Sequence, residues 1–269
     1  MPSLQTLTRA LALLNAAFAL ALPTSETSLT PRQAAAPACK DVHIFLAKGW
    51  KEPYPGRQGR LAGAICYGLP SCDYEDILFE NAENDDFCKS VTQGKRNGLK
   101  QVKAYVERCP GARLVVSGYS QGANVVGDML GGGSGKFGAE GCFIQASEAL
   151  DPAVSPGNKS KWAVLCGYAE CELMSRVVGA ALLFGDVRFV GGQSYNVLSG
   201  AAYSSNAPRY PRSLARMNKF AGVLRSYCDI ADPQCAGTGP GPFSIDKHLD
   251  YFDLYSDDAG GWVKWKLGY

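Results

Sequence analysis

The stretch RLVVSGYSQGANVVGDML, Arg113 to Leu130, does most to limit the fold. A short, partly β-branched apolar run ends at Tyr119, and apolar residues resume at helical spacing from Ala123. One residue joins the two, Ser120, set between Gly118 and Gly122. A strand passing into a helix within a single residue pushes that side chain out above the sheet edge, and the flanking glycines allow the tight backbone this requires. The bare G-x-S-x-G pattern would arise by chance about 0.3 times in a chain with 31 glycines. The context therefore carries the weight. The new helix also directs backbone N–H groups, that of Gln121 first, toward any oxyanion forming beside Ser120.

Other segments repeat the alternation. DVHIFLA from Asp41 and RVVGAALLF from Arg176 read as buried strands. Between Thr92 and Arg108, Leu99, Val102 and Val106 share one helical face, and Pro110 follows the end. A helix after Ser120 should end at Gly131-Gly132-Gly133, and YFDLYSDDAGGWVKWKL should form the last. Strands alternating with helices predict an α/β fold of three layers, a mostly parallel sheet with helices on both faces. Phe184 to Ser213 reads as loop.

The first 26 residues, MPSLQTLTRALALLNAAFALALPTSE, hold one basic residue, Arg9, an apolar run from Ala10 to Leu22 and a small-x-small site at Ala19-Leu20-Ala21. That pattern predicts a secretory signal over residues 1–21, too short an apolar run to span a bilayer. Residues 22–38, rich in Pro, Ser, Thr and Ala, are expected to be a propeptide or disordered arm, and 39–269 a single domain. With 27 basic against 25 acidic residues and no basic run, neither nucleic acid nor a membrane surface is an expected partner. Ten cysteines in a secreted chain predict five disulfides, and the spacing allows Cys66/Cys72 and Cys228/Cys235 to close small loops. Zinc would need CxxC pairs or clustered histidines, which the sequence lacks. No metal or organic cofactor is implied.

A serine nucleophile needs a histidine base oriented by a carboxylate. The chain has two histidines. His43 lies inside an apolar strand and reads as a hydrogen-bonded structural residue. His248 lies in a Gly/Pro-rich loop before the last helix, where the final member is expected when the order is Ser, acid, His. The acid then falls between them. CDIADPQC offers Asp229 and Asp232 in a loop that a Cys228–Cys235 bridge would pin.

Together GYSQGA, SYCDIADPQC and the following His248 resemble the cutinase and acetylxylan esterase family of secreted serine esterases, from about Cys39 to the C-terminus. The resemblance implies a cutinase-like α/β-hydrolase fold and hydrolysis of carboxylic esters through an acyl-enzyme. It implies Ser120 as nucleophile, Asp232 as acid, His248 as base and Gln121 as an oxyanion N–H donor. It further implies pairing of Cys228 with Cys235 and of Cys39 with Cys109. The expected substrate is an acylated polysaccharide, a polyester or a small ester, acted on by a secreted monomer. FGDVRFVGGQSYNV resembles the acetylxylan esterase branch more than the cutinases. One position departs. The family's A-R-G-S/T-x-E supplies a hydroxyl to the oxyanion hole, whereas this chain reads Ala47-Lys48-Gly49-Trp50-Lys51-Glu52. Trp50 keeps a backbone N–H but no hydroxyl, and a lost donor costs about 10²–10³ in rate elsewhere. A binding or effector protein on an inactivated esterase scaffold is therefore the alternative.

Overall fold

The computed structural model describes residues 38–82, 85–133, 135–138, 141–150 and 178–269. The expected signal and nearly all of the expected arm lie outside these. Strands β1 (Val42–Ala47), β2 (Cys72–Asp76), β3 (Arg113–Tyr119), β6 (Ala180–Phe184), β7 (Asn196–Val197) and β8 (Leu224–Tyr227) form one sheet in the order β2-β1-β3-β6-β8-β7. Every pairing in it is parallel. Between β3 and β6 lies a separate antiparallel pair, β4 (Gly135–Lys136) with β5 (Phe143–Ile144).

Strand side chains alternate between two cores, as the period of two demands. Phe45, Leu114, Val116, Ala181 and Leu183 face α2 (Phe87–Arg108), α3 (Gln121–Gly131) and α4 (Pro211–Met217). Ile44, Leu46, Val115, Leu182 and Phe184 face α1 (Gly59–Cys66) and α6 (Tyr251–Leu267). Burial of an aliphatic or aromatic side chain stabilises by about 1.5–3 kcal/mol. These two layers therefore hold the sheet between helices, the three-layer architecture expected.

Several elements differ from the sequence reading. Helix α2 starts at Phe87, five residues before the expected Thr92, because Asp86 caps it by accepting from the Lys89 N–H at 2.9 Å. Such a cap contributes about 1 kcal/mol. The segment containing His248 is not loop but a short helix, α5 (Ile245–Leu249), capped by Ser244. The expected loop from Phe184 to Ser213 holds the two-residue β7 and the start of α4. Four disulfides occur among the described residues: Cys39–Cys109, Cys66–Cys72, Cys88–Cys142 and Cys228–Cys235. Cys166 and Cys171 lie outside them.

Strand order fixes where a site can form. The chain leaves β1 toward one edge of the sheet and β3 toward the other, which opens a crevice beyond the carboxyl ends of these two strands. Ser120 follows β3 there, and the Lys48–Glu52 turn follows β1. His43 lies near the other end of β1, bonded through Nδ1 to Asp73 at 2.5 Å and stacked on Tyr105 with ring centroids 3.7 Å apart. It is the hydrogen-bonded strand residue expected.

Candidate active site

Ser120 takes φ 54° and ψ −116°, a conformation that non-glycine residues rarely hold. Its neighbours show why both glycines are needed. A side-chain carbon on Gly118 would lie 2.2 Å from the Gly122 carbonyl oxygen, and one on Gly122 would lie 1.9 Å from that of Ala47. Helix α3 thus packs directly beneath the end of β1. The Ser120 N–H donates to the Phe184 carbonyl at 2.9 Å, which ties the turn to the end of β6.

A short helix and a loop bring the partners in. His248, on α5, places Nε2 2.9 Å from the Ser120 Oγ and Nδ1 2.9 Å from the Asp232 Oδ2. Asp232 is fully buried in the loop after β8 that Cys228–Cys235 closes. Its carboxylate also accepts from the Tyr251 hydroxyl at 2.8 Å and from the Gln234 N–H at 2.7 Å. Asp229 faces its own turn instead, accepting from the Ala231 N–H at 2.9 Å. Of the two aspartates open in the sequence, Asp232 is the one in contact with the imidazole.

Four further residues hold this arrangement, and the sequence pointed to none of them. Tyr251 donates to Asp232, and burial together with the Asp232 charge holds its phenol well above the ordinary tyrosine range, hence protonated. Tyr119 donates to the His248 carbonyl at 2.8 Å, with its ring centroid 5.1 Å from the imidazole. Gly185 follows β6 at φ 55°, and a side-chain carbon there would lie 2.7 Å from the His248 Nδ1. Asn81 donates through Nδ2 to the Gly49 carbonyl at 2.7 Å and to the Gln121 Oε1 at 3.1 Å. No local periodicity marks such residues, because each acts across the fold.

Gln121 is buried at the first turn of α3, where the helix leaves N–H groups without intrahelical partners. Asn81 ties its side chain to the Gly49–Glu52 turn. That turn is braced by Glu52, which accepts from the Gly49 N–H at 2.8 Å and from Arg57 at 2.6 Å. Lys48 donates to the Glu52 carbonyl at 2.8 Å, and burial draws its ammonium below the ordinary lysine range. Trp50 rides on the outside of the turn, half exposed, with the Lys51 ammonium 4.2 Å from its ring centroid. Beside it lies an open cleft of about 780 Å³ lined by Lys48, Glu52, Tyr54, Leu78, Asn81 and Asp85 among others. Asp86, Cys88 and Cys142 cluster elsewhere at metal-binding spacing, but the two cysteines are disulfide-bonded and offer no thiolate.

The family model for cutinase matches residues 38–267. The chain belongs to the cutinase family. It is 26% identical over 239 residues to "Acetylxylan esterase 2" of Talaromyces purpureogenus, covering 86% of this chain and 88% of that protein. It is 27% identical over 276 residues to "Acetylxylan esterase" of Hypocrea jecorina, covering 99% and 78%. Among solved structures, an iodinated complex of acetyl xylan esterase superposes with a TM-score of 0.65 at 24% identity, over 86% of this chain and all of that one. The cutinase fold is thus shared, and this cutinase-family chain is a carboxylic ester hydrolase. No helix among the described residues is long and apolar enough to cross a membrane.

Proposed function

We propose that the chain is a secreted serine esterase that removes small acyl groups from a polysaccharide, with Ser120, His248 and Asp232 as a catalytic triad. The observation that carries this reading is the unbroken chain of hydrogen bonds from the Ser120 Oγ through both imidazole nitrogens to the Asp232 carboxylate, 2.9 Å at each step. Ser120 attacks the ester carbonyl as His248 takes its proton at Nε2. Asp232 keeps the imidazole turned with Nδ1–H toward itself and stabilises the imidazolium. The oxyanion is met by the Gln121 N–H, with the Trp50 N–H the second donor on the facing turn. His248 then returns the proton to the departing alcohol, leaving the acyl group on Ser120. Water repeats the sequence in reverse roles and frees the acid.

The polysaccharide part of the reading is supported by two relatives that match most of the chain, both named acetylxylan esterases, while the cleft beside the oxyanion turn offers mixed walls, Tyr54, Leu78 and Phe79 with Glu80 and Asp85. Secretion is supported by the apolar N-terminal segment with its small-x-small site and by the disulfides. A second reading, a cutin-type polyester, is favoured by one feature: Phe243 and Ile245, on the segment that carries His248, are exposed. A serine-directed phosphonate tests the enzyme reading. The expected result is one adduct, on Ser120, lost in Ser120→Ala. An unlabelled protein, or an adduct on another residue, would overturn it. Turnover across acyl esters of increasing length, with acetylated xylan and cutin alongside, separates the two substrates.

A further inference from the structure

A second concave site lies away from the triad, on the outer flank of α6. Arg225 of β8 and Asp257, Asp258, Gly261, Trp262 and Trp265 of α6 line a depression of about 480 Å³. Trp265 lies 14 residues beyond Tyr251, about 21 Å along the helix axis from the catalytic end. Helix α6 ends at the amino ends of the strands, opposite the crevice that holds Ser120, where Arg113 at the start of β3 donates to the Leu267 carbonyl at 2.6 Å. The depression therefore shares no residue with the site described above.

Its chemistry is specific. Trp265 is 65% exposed, unusual for so large an apolar ring, and the Lys266 ammonium sits 4.6 Å from its ring centroid. Arg225 packs 4.9 Å from the centre of the Trp262 ring and at the same time donates to Asp258 at 3.2 Å. Asp258 also accepts from the Tyr227 hydroxyl at 2.9 Å, so two donors fix its carboxylate. Gly261 forms the floor. Glycine is unfavourable in a helix interior, yet a side-chain carbon at Gly261 would meet nothing within 4 Å. Packing therefore does not require the glycine. Its effect is to leave the space between the carboxylates and the indoles open.

We propose that this depression is a binding site for a neutral polysaccharide, holding the polymer while the triad works on acyl groups elsewhere along it. A flat exposed indole stacks on the apolar face of a pyranose ring, and fixed carboxylate and guanidinium groups hydrogen-bond its hydroxyls. Lining charges of both signs, Arg225 against Asp257 and Asp258, give no net attraction for a polyanion or an anionic lipid surface. The choice of polymer follows the function proposed above, whereas the site stands on its own residues.

The test is cosedimentation of the full chain with insoluble linear xylan, for the wild type, Trp265→Ala and Gly261→Leu. The first side-chain carbon at 261 meets nothing within 4 Å and leucine favours the helix, so the thermal midpoint separates loss of fold from loss of binding. The wild type is expected to sediment with the polymer, and each variant to bind at least about tenfold more weakly. Turnover of p-nitrophenyl acetate and the thermal midpoint should stay at wild-type values. Equal retention of all three proteins, or no retention of the wild type, overturns the proposal. So does a dimer, or binding to anionic vesicles, that Trp265→Ala abolishes. A wild type that sediments but turns over no ester would count against the esterase reading alone.

Discussion

Gly185 leaves the space that the His248 imidazole occupies: a side-chain carbon at 185 would come within 2.7 Å of both Nδ1 and Cε1, and within 3.0 Å of the Asp232 Oδ2. Positive φ adds backbone strain for any other residue. Gly185→Ala should therefore move the ring away from Ser120, and a misplacement of about 1 Å costs on the order of 10² in rate. The expected result is a kcat lowered by about that factor, with a thermal midpoint only a few degrees lower. A variant with unchanged kcat would show that the imidazole tolerates displacement.

The two aspartates of the 228–235 loop give a sharper test of the triad. Asp232 touches the imidazole, whereas Asp229 holds its own turn through the Ala231 N–H. Asp232→Asn should lower kcat by about 10⁴, as wrong tautomer placement does in other triads, and Asp229→Asn by less than about tenfold. Ser120→Ala and His248→Ala should each cost as much as both together, since the residues act as a unit. Equal and mild losses from the two aspartate variants would mean that another acid serves.

Much of this site was legible because its signals are local. The strand, turn and helix around Ser120 announce themselves by a change of period across one residue, and α3 stops at the glycines expected. Choosing Asp232 over Asp229 rested on family resemblance, because both sit in one short loop with turn chemistry. What escaped is what acts at a distance. Strand β2, sequence CDYED, has no apolar run because it is a half-buried edge strand, tied at its first residue by the Cys66–Cys72 bridge. Helix α5 has five residues, too few for a helical period to show. Gly185, Tyr251 and Asn81 are marked only by what approaches them from elsewhere in the fold.

A buried ion pair shows the same limit. Arg209, wholly buried just before α4, donates to Asp128 of α3 and, at 3.2 Å, to Asp186 beyond β6. Removing one partner leaves the others charged and desolvated. Arg209→Ala should destabilise the fold by about 3–5 kcal/mol, far more than loss of an exposed pair such as Lys103 with Glu107. Urea titration of Arg209→Ala and Lys103→Ala measures the difference, and similar midpoints would contradict the reading.

Alkaline stability follows chiefly from four of the buried phenols. Burial raises Tyr119, Tyr195, Tyr227 and Tyr251 above the ordinary value of 10.0. A raised folded-state value means that the unfolded chain loses its protons first as pH climbs. Stability from these groups is thus complete below pH 10 and drains away as pH rises toward the folded values. Thermal midpoints should fall steeply above about pH 10, and the last part of the phenolate absorbance, that of the buried rings, should appear only with unfolding, after the exposed tyrosines have contributed theirs. Early, non-cooperative phenolate formation by all the tyrosines would show that the four are not protected.

Trp50 bears on how strongly this member of the family works. Its indole points outward over Lys51, while its backbone lies in the turn that Asn81 couples to Gln121 through the Gly49 carbonyl. Trp50→Ser restores a hydroxyl at the position where the family pattern places one, without disturbing the Glu52 brace. A donor that strengthens mainly in the transition state raises kcat and leaves KM nearly unchanged. The expected rise on an acetyl or butyryl ester is about tenfold or more, given that single oxyanion donors elsewhere are worth 10²–10³. An indole serving as a wall for the sugar gives the opposite pattern, a higher KM with kcat flat or lower. Kinetics of wild type and Trp50→Ser on one small ester decide between them, and a loss confined to KM would end the case for a missing oxyanion donor.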